Sequence, residues 1–104
     1  MSVSLVYITT ASVEEAEIIG RNLVSRKLAA CVNIVDKMKS IYHWEGKIES
    51  GEEVILIAKT KTALVDELTE NVKALHSYKC PCIVSLPIEG GNTEFLNWIR
   101  NETK

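Results

Sequence analysis

The stretch that most constrains this chain is Ala30 to Thr60, which reads as one long β-hairpin reversing at Trp44-Glu45-Gly46-Lys47. The outgoing arm carries Cys31-Val32-Asn33-Ile34-Val35, a polar interval, and Ile41-Tyr42-His43-Trp44. The return arm carries Ile48, a polar interval at Glu49 to Glu53, and the run Val54-Ile55-Leu56-Ile57-Ala58. Gly46 supplies the backbone freedom that a reversal between such arms needs. An arm of about 14 residues spans on the order of 45 Å, whereas a compact domain of this size is about 34 Å across. Continuous arms therefore overshoot their own domain and carry Tyr42 and Trp44 to a tip that something must cover. The competing reading makes Asp36 to Ser40 a loop or bulge, which divides the long arm into two ordinary strands.

The remaining elements follow from periodicity and punctuation. Val3 to Ile8 reads as a first strand. Ser12 with Glu15 three residues on is a capping box, opening a helix to about Lys27 with Ala16, Ile19 and Leu23 on its inner face and Gly20 permitting close packing. Leu64, Leu68, Val72 and Leu75 form the apolar stripe of a second helix, which should end near His76 or Ser77 because Pro81 follows. Cys82 to Leu86 reads as a fourth strand closed by Pro87. Asn92 or Thr93 then caps a terminal helix that buries Phe95, Trp98 and Ile99. The order βαββαβ plus a helix predicts an α+β, ferredoxin-like sandwich: four antiparallel strands with both main helices on one face.

That architecture leaves the other sheet face bare. Yet Val6 and Ile8 oppose Leu5 and Tyr7, and Val54, Leu56 and Ala58 oppose Ile55 and Ile57. Strands apolar on both faces are buried on both, and the terminal helix is too short to cover four strands. A further copy of the chain is the expected cover.

Composition narrows the function. A chain of 104 residues with 46% hydrophobic side chains and no shift in composition reads as one domain. A net charge of -2 gives no reason to expect nucleic acid or an anionic membrane as partner. No apolar run reaches the length of a membrane span, so no membrane insertion is expected. No signal peptide is recognisable, and three cysteines are an odd count. Together these predict reduced thiols and a cytoplasmic location.

Five ordered segments resemble one family. They are Leu28-Ala29-Ala30-Cys31-Val32-Asn33-Ile34; Tyr42 to Ile48; Glu53 with Lys59-Thr60; His76 to Pro81; and Phe95 to Ile99. This set resembles the CutA family of divalent-cation tolerance proteins over nearly the whole chain. The resemblance implies a tight homotrimer, similar to that of the nitrogen-regulatory PII signalling proteins, in which long hairpins extend neighbouring sheets. It also implies a non-enzymatic role in tolerance of copper and other divalent cations and, in animals, a link to anchoring acetylcholinesterase at membranes. Two positions depart from the family pattern: Cys82 stands where an acid is common, and Ser77 where proline is common.

Candidate sites come from ligand chemistry. His76, Cys80 and Cys82 form His-x3-Cys-Pro-Cys, and imidazole with thiolates suits Cu(I) or Zn(II). Extended backbone would place both thiols on one side. The same residues also fit a helix C-terminus and a buried strand. Tyr42, Trp44, Lys59, His76 and Tyr78 fit a subunit-boundary cleft for a small anionic ligand, or ordinary interface packing. Cys31 reads as core, and Glu45, Glu49, Glu52, Glu53 and Glu89 as solvated charges. No Ser/His/Asp or Cys/His spacing supports hydrolytic catalysis, and no cofactor is required, copper or another divalent cation being the candidate. Three readings follow: a trimeric small-ligand or signalling module, a soft-metal buffer, and a structural partner protein. The first is preferred.

Overall fold

The computed structural model describes residues Met1 to Lys104. In chain order these form β1 (Val3–Thr10), α1 (Val13–Ser25), β2 (Cys31–Trp44), β3 (Lys47–Lys61), α2 (Val65–Leu75), β4 (Ile83–Pro87) and α3 (Thr93–Asn101), with a 3-10 turn at Thr62–Leu64 leading into α2. The strands make one antiparallel sheet in the order β2-β3-β1-β4.

Both arms of the hairpin are continuous. Glu45 (φ 50°) and Gly46 (φ 78°) form the reversal between the paired residues Trp44 and Lys47. Two left-handed residues in succession match the right-handed twist of the arms. The polar interval on β2 holds a bulge within the strand, so the two competing readings are both partly met. Val35 pairs with Ile55 but Met38 pairs with Glu53, so Asp36 and Lys37 together oppose Val54 alone. Lys37 takes φ 62°, and its N–H donates to its neighbour Asp36 Oδ1 at 2.7 Å. Beyond this point β1 has ended, and the hairpin runs on as a two-stranded ribbon. The long molecular axis is 44 Å against 25 and 22 Å for the others.

α1 opens as the capping box requires. Ser12 Oγ accepts from Glu15 N–H at 3.1 Å, and Glu15 Oε1 accepts from Ala11 N–H at 3.0 Å. The helix stops two residues before the expected Lys27, because Lys27 turns left-handed at φ 59°. Lys27 N–H then bonds Val24 O and Leu28 N–H bonds Leu23 O, and Leu23 and Leu28 both join the core. Gly20 is needed for close approach: a Cβ there would lie 2.9 Å from Val32 Cγ2. The main core lies between the two long helices and the sheet, with Val6, Ile8, Leu56 and Ala58 meeting Ile19, Leu23, Leu68 and Val72.

The other face is largely bare. Cross-strand pairing aligns Val84 with Tyr7 and Ile57, and Leu86 with Leu5 and Lys59. Val35, Val84 and Leu86 are exposed there. α3 covers only the Val3 end, where Val3, Ala30 and Ile99 form a small second cluster. The terminal helix therefore differs from expectation: Ile99 is buried, but Phe95 and Trp98 remain 43% and 39% exposed. Leu96 and Ile99, three residues apart, point inward instead, and the two aromatic rings stack on each other at 5.3 Å outside them.

Candidate functional site

The polar groups of the protomer converge where the ribbon leaves the sheet. Glu53 is the last β3 residue before the ribbon, one position beyond the Val54–Thr10 pair that ends β1. Its carboxylate is held from two sides. Ser40 Oγ donates to Oε1 at 2.6 Å and Tyr78 Oη donates to Oε2 at 2.9 Å. Each carboxylate oxygen keeps a further acceptor position. Desolvation, and then the hydrogen bond and charge of Glu53, push the Tyr78 phenol up to about 12. It therefore stays protonated and donating. The Glu15 carboxylate adds to this push, and Tyr42 lies on the same ribbon face as Ser40.

Tyr78 is placed by the end of α2. His76 adopts extended backbone (φ -78°, ψ 143°), which stops the helix. Its side chain is fully buried and both ring nitrogens are engaged. Tyr78 N–H donates to Nδ1 at 3.0 Å, so Nδ1 is unprotonated and Nε2 carries the hydrogen donated to Thr9 O at 2.7 Å. Glu15 Oε2 accepts from Ser77 N–H at 2.7 Å and lies 3.8 Å from His76 Nδ1. Burial alone would raise the Glu15 carboxyl. The hydrogen bonds from Ala11 and Ser77 outweigh it and hold the carboxyl below its usual range.

This geometry separates the residues that the sequence grouped. His76 has no free lone pair for a metal, and no three His, Cys, Asp or Glu side chains are arranged to hold an ion. Cys80 and Cys82 are both exposed free thiols. Desolvation and then the charge of Glu53 push the Cys82 thiol up, which disfavours its thiolate. Tyr78 stands at the ribbon root, Tyr42 lies farther out on the ribbon opposite Glu49, and Trp44 is 57% exposed at the tip. Lys59 is six residues farther along β3 than Glu53, on the order of 20 Å away. There its ammonium donates to Asn33 Oδ1 and meets Cys31 Sγ at 3.8 Å. Cys31 is accordingly half-buried beside a cation rather than enclosed in core. Glu53 was read as a solvated charge and is instead the centre of the site. The signal available was its place directly before the apolar run Val54 to Ala58.

Comparison with known proteins bears on this arrangement. Residues 4–102 match the family model described as CutA1 divalent ion tolerance protein. The chain belongs to that family. It is 51% identical over 96 residues to the divalent-cation tolerance protein CutA of Archaeoglobus fulgidus, covering 92% of this chain and 93% of that one. It is 46% identical over 100 residues to the chloroplastic protein CutA 1 of Oryza sativa, covering 96% of this chain and 56% of the rice protein. The chain thus spans about half the length of the rice relative. The solved structure of the periplasmic divalent cation tolerance protein CutA from Archaeoglobus fulgidus superposes with a TM-score of 0.94 at 48% identity, covering 98% of this chain and 99% of that one. These relatives confirm the mixed α+β fold with a single four-stranded antiparallel sheet, and the family is named for cation tolerance rather than for a reaction. They also correct the expected cytoplasmic location, since CutA proteins of this kind are described as chloroplastic and periplasmic. An odd cysteine count does not fix a compartment when the thiols form no disulfide framework.

Proposed function

We propose that the chain is a non-enzymatic, single-domain homotrimeric module of divalent-cation tolerance, with its ligand site at the ribbon root and completed by a neighbouring copy. The observation that carries this reading is the Glu53 carboxylate, oriented by Ser40 and Tyr78 with an acceptor position left on each oxygen. Oxygen donors held in this way suit a divalent cation, copper among them, when a second chain adds ligands. The bare apolar sheet face and the exposed aromatics of the ribbon support assembly. With Glu15 and Glu53 near Tyr78 and Lys59 distant, an anionic ligand would need Lys59 from another copy.

Calorimetric titration of Cu(II) and Zn(II) into wild type and Glu53→Gln, with sedimentation of both, tests the reading. We expect Glu53→Gln to weaken binding at least tenfold, on the order of 1.4 kcal/mol, while the trimer persists. Equal affinities would remove Glu53 from the site. A wild-type monomer at micromolar concentration would remove the shared cleft.

A further inference from the structure

The segment between α2 and β4 carries two thiols that the Glu53 site does not use. Cys80 and Cys82 are exposed, free and separated only by Pro81. Within one protomer no third ligand joins them: His76 has both ring nitrogens engaged, and no group of three His, Cys, Asp or Glu side chains is arranged to hold an ion. The third cysteine, Cys31, sits at the start of β2 beside Lys59 and Asn33. Neither of these two thiols is held in a disulfide.

We propose that Cys80 and Cys82 are a redox modification site that closes to a reversible intramolecular disulfide with small disulfides such as glutathione disulfide. Proline at position 81 keeps Cys80 out of the helical region, and extended backbone projects residues two apart to the same side. Their Cα separation is then roughly 6.6 Å, near the upper edge of what a disulfide spans. Closing the ring needs a modest backbone bend, and the chain already bends at Ser77 through Cys80. Nothing in the ladder opposes it: no backbone hydrogen bond involves Lys79, Cys80 or Pro81, and the first contact beyond them is Thr9 N–H to Cys82 O, long at 3.4 Å.

The chemistry balances with the named oxidant. The Cys80 thiolate attacks one sulfur of glutathione disulfide, forming a mixed disulfide and releasing one glutathione thiolate. The Cys82 thiolate then attacks Cys80 Sγ and releases the second. Two electrons pass from the protein to glutathione, and the two thiol protons go to the two glutathione thiolates. Cys82 carries out the second step because its target, Cys80 Sγ, is only two residues away. A ring closed near its geometric limit is readily reduced again. Because Tyr78 lies in the same segment and holds Glu53, closure also reaches the ribbon root.

The test treats the full chain with glutathione disulfide, quenches with acid, alkylates the remaining thiols and maps them by mass. Wild type is expected to lose two hydrogens within the peptide holding Cys80 and Cys82, to keep one alkylatable thiol at Cys31, and to recover all three with excess reduced glutathione. Cys82→Ser is expected to stop with one glutathione on Cys80. Three alkylatable thiols in treated wild type overturn the proposal. So does glutathione accumulating on Cys80 as fully as in Cys82→Ser, or a cross-link between chains in place of the internal one.

Discussion

Tyr78 Oη donates to Glu53 Oε2 at 2.9 Å, tying the segment after α2 to the root of the ribbon. This bond joins parts of the chain that the sheet itself does not connect. Tyr78→Phe removes the donor and keeps the ring. We expect a loss of about 1.5 kcal/mol in urea unfolding, as for a hydrogen bond to a charged acceptor. The folded phenol titrates at about 12, above its ordinary 10.0, so its contribution is complete below pH 10 and is lost as the pH rises through 12. Ultraviolet titration of wild type should show one late tyrosine that the variant lacks. Identical titrations would remove the bond from solution.

Glu15 predicts the acid limb. Its folded carboxyl lies below the ordinary 4.5, so its contribution is present above that value and is lost as the pH falls through the lower folded one. Glu15→Gln should be less stable than wild type at pH 7, with the difference shrinking below pH 4.5. Urea midpoints across this range check it, and a difference constant with pH would contradict it.

Gly20 tests the close approach of α1 to the sheet. Alanine there gains about 1 kcal/mol in helix propensity but sets its methyl 2.9 Å from Val32 Cγ2. Overpacking of this kind costs about 1–3 kcal/mol, so Gly20→Ala should be net destabilising. Val32→Ala makes room for the methyl, so the double variant should lose less than the sum of the singles. Strict additivity would place the strain elsewhere.

Trp44 tests the assembly. At the tip of the ribbon it has little to pack against in its own protomer, so Trp44→Ala should lower the association of copies more than it disturbs the fold. Sedimentation read beside circular dichroism checks this. An unchanged oligomer would show that the tip indole is not part of the contact.

Much of the fold was legible because local signals agreed with it. The Ser12–Glu15 box, the Leu68–Val72 stripe and the Glu45-Gly46 reversal each stand where the pattern put them. What escaped depended on register. Lys59 and Tyr78 both sit at strand or helix ends in the sequence, but only cross-strand pairing shows that they belong to different ends of β3. Phe95 and Trp98 have the spacing of a buried face, yet Leu96 and Ile99 win that place against Val3. His76 carries a ligand's chemistry, and its capture by Thr9 and Tyr78 depends on backbone groups that no side-chain pattern records.

The bulge at Asp36 and Lys37 decides which residues meet Glu53. Before it, odd-numbered residues of β2 point toward the bare side of the sheet; after it, even-numbered ones do, so Ser40, Tyr42 and Trp44 share that side with Glu53. Pairing Lys37 regularly, opposite Glu53 and without the bulge, would exchange the ribbon's sides and present Lys39, Ile41 and His43 instead, whereas deleting Lys37 leaves the sides as they are. The way one extra amino acid is accommodated therefore works as a selector, choosing between two sets of side chains that the same ribbon could offer to whatever lies across it.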